Sequence, residues 1–161
     1  MESSILETRH ESWPDEAACA DSARRLARGA ALQDAFIELH GPLGAGKTTF
    51  VRHLLHGLGV QGSIKSPTYA LLEPYRALTP TGGFDIAHFD FYRFDDPAEW
   101  EDAGFREVFA APGLKLVEWP EKAAGLLPDC DLRLWITPRD GSDARAARFD
   151  ALSETGRELL A

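Results

Sequence analysis

One stretch constrains this chain more than any other. Gly41-Pro42-Leu43-Gly44-Ala45-Gly46-Lys47-Thr48 meets every fixed position of the pattern G-x-x-x-x-G-K-[ST]. Ahead of it, Ala35-Phe36-Ile37-Glu38-Leu39 is a short apolar run of strand type. After it, Val51, Leu54, Leu55 and Leu58 recur at helical spacing in the segment Thr49 to Leu58. Strand, glycine loop and helix follow one another in the order that aims a helix N-terminus at an anion.

Each part of the pattern has a physical task. Gly44 and Gly46 can adopt backbone angles closed to other residues, and they lack the Cβ that would hold the main chain away from a phosphate. The helix beginning near Lys47 adds N–H groups and the positive end of its dipole. Lys47 is then placed to reach the β- and γ-phosphates of a nucleotide, and the Thr48 hydroxyl to ligate a Mg²⁺ ion that bridges them. Leu43, Gly44, Ala45, Gly46, Lys47, Thr48 and Thr49 form the candidate nucleotide-binding set. The plain alternative is a glycine turn that caps an ordinary helix, but the fixed Gly, Lys and Thr positions and both flanking elements argue against it.

The chain has 161 residues, which favours a single domain spanning residues 1–161. Lys and Arg number 17 against 26 Asp and Glu, a net charge of -9. That balance argues against a broad basic surface for gripping nucleic acid, so RNA contact is expected to be local or made by a partner. Cys19 and Cys130 lie far apart and form no C-x-x-C pair, so two reduced, part-buried thiols are expected instead of a zinc site or a disulfide. No apolar run approaches the length of a membrane span, and the segment from Met1 to Glu7 has no basic region followed by an apolar core. The expected compartment is the cytoplasm.

Taken in order, the chain opens with a short strand expected from Ser4 to Arg9. A helix start follows at Ser12-Trp13-Pro14-Asp15-Glu16, then a small-residue face of Ala17, Ala20, Ala23 and Ala27 that packs on the sheet, with a stop at Gly29. Trp13 reads as a packing residue, with adenine stacking as a weaker alternative. Ser63 to Tyr69 is a polar loop with a proline, and Ala70–Tyr75 and Phe84–Tyr92 read as an antiparallel hairpin across Thr79-Pro80-Thr81-Gly82-Gly83. A helical stretch is expected from Asp95 through Phe105, a strand at Leu114–Glu118, a short helix at Glu121–Leu127, strands at Leu132–Thr137 and Arg148–Leu152, and a terminal helix at Ser153–Leu160. The mixed-charge loop Arg139 to Arg145 is assigned no role.

Two of these strands end on carboxylates. Ile86-Ala87-His88-Phe89-Asp90 has the form of a Walker B segment, and Leu114-Lys115-Leu116-Val117-Glu118 is its counterpart. In an ATPase of this kind one acid organises the metal while another group orients the attacking water, and either Asp90 or Glu118 suits either task. His88 reads as a hydrogen-bonded strand histidine. The fold expected from the whole pattern is α/β: a P-loop NTPase-like, largely parallel central sheet with flanking helices and an added antiparallel hairpin.

Beyond the loop, four strings carry a more specific resemblance: Leu43-Gly44-Ala45-Gly46-Lys47-Thr48-Thr49-Phe50, Lys65-Ser66-Pro67-Thr68-Tyr69, His88-Phe89-Asp90-Phe91-Tyr92-Arg93 and Val117-Glu118-Trp119-Pro120. In order, spacing and total length the chain resembles the TsaE (YjeE) family, small bacterial ATPases of tRNA threonylcarbamoyladenosine biosynthesis. The resemblance implies a Mg²⁺-dependent ATPase that acts on a complex of TsaB and TsaD proteins and meets tRNA only through them. With no obvious arginine finger in the chain, it is expected to be slow alone. It also implies that Lys47 holds phosphate, Thr48, Asp90 and Glu118 stand at the metal, Trp119 lies near the nucleotide, and Ser66 to Tyr69 acts as a switch-like loop near the γ-phosphate. Pro42 stands where the family commonly has Asp, at a position that donates no side chain to the motif. The region Asp143 to Arg148 matches the family's Arg-containing strand entry only loosely.

Two other function classes share the glycine loop. A small-molecule or nucleoside kinase needs an acceptor pocket and an arginine-bearing lid, and no arginine-rich insertion is evident. A non-catalytic nucleotide-sensing switch needs only ordering of the loop around Ser66 to Tyr69. A GTPase is disfavoured, since neither N/T-K-x-D nor a following D-x-x-G occurs.

Overall fold

The computed structural model describes residues 4–65, 67, 71–80, 82–140 and 142–161. Strand β1 (Glu7–Trp13) leads into helix α1 (Glu16–Ala27), whose N-terminus is closed by Asp15 accepting the Ala18 N–H at 2.9 Å. Strand β2 (Phe36–His40) enters the glycine loop, and helix α2 (Lys47–Gly57) leaves it. The hairpin β3 (Leu72–Thr79) and β4 (Gly82–Asp90) follows. Two short helices, α3 (Pro97–Asp102) and α4 (Phe105–Ala110), precede β5 (Leu114–Glu118). Strands β6 (Leu132–Pro138) and β7 (Arg145–Ala151) and helix α5 (Glu154–Leu160) complete the order.

The seven strands form one sheet in the order β1-β7-β6-β2-β5-β4-β3. The ladders β6–β2, β2–β5 and β5–β4 are parallel, whereas β1–β7, β7–β6 and β3–β4 are antiparallel. The expected hairpin is present, but the sheet is mixed and not largely parallel. The reason lies in residues 139–144, a connection between β6 and β7 too short for the dozen or more residues that a parallel crossover needs. The sheet is α/β with helices on both faces. One core gathers Phe50, Leu54 and Leu55 of α2, Ala23 and Leu26 of α1, and Ile37, Leu116 and Leu134 of the sheet. The other packs Phe36, Phe89 and Val117 under Trp100 and Phe105 of α3 and α4.

Local expectations differ from the structure in instructive ways. The first strand runs to Trp13, through residues read as a helix start, because every residue from Glu7 to Trp13 pairs with β7. Trp13 is buried and stacks on Phe50 with centroids 5.7 Å apart, so packing is its first task. The helix expected across Asp95 to Phe105 is split in two where Gly104 takes φ 71. The helix expected from Glu121 shortens to a 3₁₀ turn at Pro120–Ala123. The final strand starts three residues early, at Arg145, which brings that side chain beside the glycine loop. Both cysteines are free and buried, and burial pushes each thiol up to about 12. Among the described residues no helix is long and apolar enough to cross a membrane.

Candidate functional site

The candidate site lies at the carboxyl ends of β2, β5 and β4, where the glycine loop turns into α2. Gly46 precedes the helix with φ 109, and Gly44 takes φ 79. A Cβ built on either meets nothing within 4 Å, so backbone conformation is what demands glycine at both positions. Among the described residues no side chain caps this helix N-terminus. Its first N–H groups and dipole therefore face the concave side of the loop, an arrangement suited to a polyanion.

Lys47 is the first residue of α2 and only 5% exposed. Its Nζ donates to the Gly41 carbonyl and stands 3.4 Å from the centroid of the Trp119 ring. Burial lowers the pKa of this ammonium from its ordinary value, against the opposing pull of Glu118, Glu121 and Asp90. One residue on, the Thr48 hydroxyl donates to Glu118, 2.9 Å from Oε1 and 3.2 Å from Oε2. Glu118 is 2% exposed, and its Oε2 lies 2.6 Å from His88 Nε2.

Asp90 pairs in register with Glu118 across the β4–β5 ladder, so the two acids end adjacent strands side by side. Their surroundings differ. Asp90 is partly exposed, and its Oδ1 accepts the Tyr92 N–H at 3.0 Å. Trp119, just past Glu118, takes φ 58 and ψ 48, a left-handed conformation that is uncommon for a bulky residue and marks local backbone strain. Its ring packs against Tyr92 with centroids 4.9 Å apart.

Leu43 to Thr49, Asp90, Glu118 and Trp119 thus line one cleft of about 280 Å³, so the structure brings every candidate residue together. In the polar loop before β3, Ser66, Thr68 and Tyr69 lie outside the described residues, and the switch-loop reading with them. A second cleft of about 280 Å³ shares Ala45, Gly46 and Thr49 with the first and extends to Trp13, Cys19 and Arg145. There Arg145 Nε donates to the Ala45 carbonyl at 2.8 Å.

Sequence reasoning assigns Arg145 no role, and it reads His88 as a hydrogen-bonded strand histidine, which the 2.6 Å contact bears out, without naming Glu118 as its partner. Arg145 was legible only as one charge in a mixed-charge loop, and nothing in its spacing ties it to residue 45. His88 carried a usable signal: strand alternation puts residues 86, 88 and 90 on one face, so a histidine two before a candidate acid shares its side of the sheet.

A family model described as "Threonylcarbamoyl adenosine biosynthesis protein TsaE" matches residues 13–147. The chain belongs to the TsaE family. Proteins named "tRNA threonylcarbamoyladenosine biosynthesis protein TsaE" are similar to it across distant bacteria. The Haemophilus influenzae protein is 43% identical over 124 residues, 77% of this chain and 75% of that protein. The Bacillus subtilis protein is 37% identical over 116 residues, 72% and 69% of the two chains. The Streptomyces coelicolor protein is 35% identical over 134 residues, 83% and 88%. Among solved structures, Bacillus subtilis YdiB superposes with a TM-score of 0.75 at 26% identity, covering 98% of this chain and 95% of that one. The mixed sheet with flanking helices is therefore shared with that crystal structure, and membership in TsaE connects the chain to tRNA threonylcarbamoyladenosine biosynthesis.

Proposed function

We propose that the chain is a P-loop NTPase-like protein that binds ATP with Mg²⁺ and hydrolyses it in support of tRNA threonylcarbamoyladenosine modification, acting on a complex of TsaB-like and TsaD-like proteins. The observation that carries this reading is the chain of contacts at the loop: a buried lysine, a threonine hydroxyl bonded to a strand-end glutamate, and a second acid in register beside it. Among the described residues no cluster of three or more His, Cys, Asp or Glu side chains is arranged to hold a metal alone. That suits Mg²⁺, which is usually held by one or two carboxylates together with substrate phosphates. Thr48 and Glu118 are the residues that would hold it, and Asp90 stands next to them. When bound, the ion would supply charge neutralisation on the β- and γ-phosphates.

The chain's own groups do the rest. Backbone N–H groups from Gly44 to Thr49 cradle the phosphates, and Lys47 exchanges the Gly41 carbonyl for phosphate oxygens. Glu118, already tied to Thr48, keeps the metal side of the cleft in place, which leaves Asp90 to orient the attacking water. The nucleoside lies in the second cleft, which continues from Thr49 past Trp13 and Arg145. Arg145 keeps Ala45 in place from that side. No arginine is among the described residues lining the phosphate cleft, so turnover is slow until a partner supplies further charge stabilisation.

The test is ATP hydrolysis by the purified chain with Mg²⁺, alone and with the TsaB and TsaD proteins, with Lys47→Ala as the blank. Stimulation by the partners that vanishes in the variant is the expected result. ATP bound without turnover in any mixture would favour a nucleotide-sensing switch, and phosphate transfer to an added nucleoside would favour a kinase.

A further inference from the structure

His88 is fully buried in β4, at 0% exposure, on the face of the sheet that α2 covers. Its register partner on β5 is Leu116, and Ile86 precedes it on the same face, so the position is one where an apolar side chain would pack. Taken as a carboxylate, the form in which it would meet a cation, Glu118 only accepts, and the hydrogen in the 2.6 Å contact is then His88 Nε2–H given to Oε2. The other ring nitrogen, Nδ1, has no hydrogen-bond partner among the described residues. A buried polar atom left in that condition calls for an explanation other than packing.

The geometry supplies one. Glu118 is held at both oxygens, by Thr48 on the cleft side, nearer Oε1 at 2.9 Å than Oε2 at 3.2 Å, and by His88 at Oε2 on the core side. Two tethers on two oxygens fix the plane of the carboxylate, as the partners of metal-binding carboxylates do elsewhere. The Thr48 tether sits in the cleft, where a ligand can engage the hydroxyl. The His88 tether lies on the core side, from a ring with no exposed surface. We infer that His88 is a positioning residue for Glu118, presetting that carboxylate for the cation of a Mg²⁺-nucleotide complex. The inference rests on the Mg²⁺-ATP reading above.

The test compares His88→Asn with His88→Gln in the full chain. Glutamine carries an N–H at about the reach of imidazole Nε2, and asparagine at about that of Nδ1. Binding of a fluorescent ADP analogue is titrated in EDTA and in Mg²⁺, alongside the Mg²⁺ concentration dependence of ATP hydrolysis and a melting curve. With metal absent, both variants are expected to bind like the wild type. With metal present, H88N is expected to raise the half-saturating Mg²⁺ concentration by about 10–100-fold, the range typical for such partners, while H88Q restores it. Added to Glu118→Gln, H88N is expected to cost nothing further, because its effect runs through that carboxylate. If the melting curve shows H88N unfolded, His88→Leu takes its place.

Equal behaviour of H88N and H88Q, losses that appear equally in EDTA, or a full additional loss on top of E118Q would each reduce His88 to a packing residue. A wild-type protein whose nucleotide affinity and turnover ignore Mg²⁺ would overturn the underlying reading instead, and this inference with it.

Discussion

Two buried glutamates, one strand apart, show how a structural acid differs from a candidate functional one. Glu38 on β2 and Glu118 on β5 are 7% and 2% exposed, and each has a histidine partner, His40 at 3.0 Å and His88 at 2.6 Å. They point to opposite faces, since Glu118 shares its row with Leu39 and Glu38 shares its row with Val117. Glu38 also has a cation of its own, Arg133 Nε at 3.2 Å. Burial alone would push its carboxyl up, yet the bonds and charges of His40 and Arg133 outweigh that and leave it below the ordinary 4.5. Glu118 has a hydroxyl and an imidazole, and among the described residues no lysine or arginine forms an ion pair with it. The nearby Lys47 is committed to Gly41 and Trp119. An acid that serves the fold brings its counter-charge from the fold. Under the proposed function, Glu118 receives one from outside.

Exchanging the two acids one at a time tests that contrast most severely. Glu118→Gln is expected to lower partner-stimulated ATP turnover by about 10²–10³-fold while the melting temperature of the metal-free protein does not fall, because an under-compensated charge has been removed. Glu38→Gln is expected to leave turnover near wild type and to lower stability by about 1–3 kcal/mol, since Arg133 loses its charged partner. Hydrolysis assays and urea melts on both variants decide it. The distinction collapses if E38Q costs turnover or E118Q costs stability.

A smaller effect separates Glu118 from its neighbour in the site. If Asp90 orients the water, as proposed, Asp90→Asn is expected to lower turnover by about 10²-fold with the half-saturating Mg²⁺ concentration unchanged. In E118Q that concentration rises. Metal titrations of hydrolysis in the two variants measure the difference, and an equal rise in both would mean that the acids share one task.

Much of this site was legible beforehand because its parts are local. A glycine loop, the strand before it and the helix after it occupy one short stretch of chain, and β5 was placed residue for residue by its apolar run. Asp90 and Glu118 announce themselves by ending apolar strands. What stayed hidden depends on contacts between segments distant in sequence. Arg145 reaches Ala45 because β7 starts earlier than its apolar pattern does, extended by pairing with β1 and β6. The mixed sheet was missed for the same reason: periodicity gives strands, while strand direction follows from connection length and pairing. Nothing local shows that Glu38 has a cation of its own either, since that cation is Arg133, 95 residues away.

That arginine gives a pH signature confined to the structural acid. The Arg133 side chain is 38% exposed, so Arg133→Gln is expected to cost only about 1 kcal/mol near neutral pH. Because the folded pKa of Glu38 lies below its unfolded value, its contribution is complete above the ordinary 4.5 and is lost as pH falls through the folded value. The stability gap between wild type and R133Q should therefore close as pH drops below 4.5. Urea melts at neutral and at acid pH measure it, and a gap that persists in acid would mean that Arg133 acts on the fold through its packing and not through Glu38.

The smallest effect concerns the cation that Glu118 does not have. The Lys47 ammonium rests over the Trp119 ring, and Trp119 is held beneath it by a left-handed backbone that leads directly into Pro120. A buried ammonium on an aromatic face and a single carbonyl is incompletely compensated, which is why burial lowers its pKa despite three acids nearby. Phosphate oxygens are stronger partners, so nucleotide binding should draw Lys47 off the ring. Removing a cation from an indole face alters its emission, and the chain's four tryptophans allow the source to be assigned. In a Trp13→Phe background, which removes the tryptophan of the second cleft, nucleotide is expected to change the intrinsic fluorescence, but not once Trp119→Phe is added, and the double variant should still bind. If the double variant retains the change, Lys47 does not leave Trp119 on binding. The under-compensated charge beside Glu118 would then be a fixture of the fold, as Arg133 is beside Glu38.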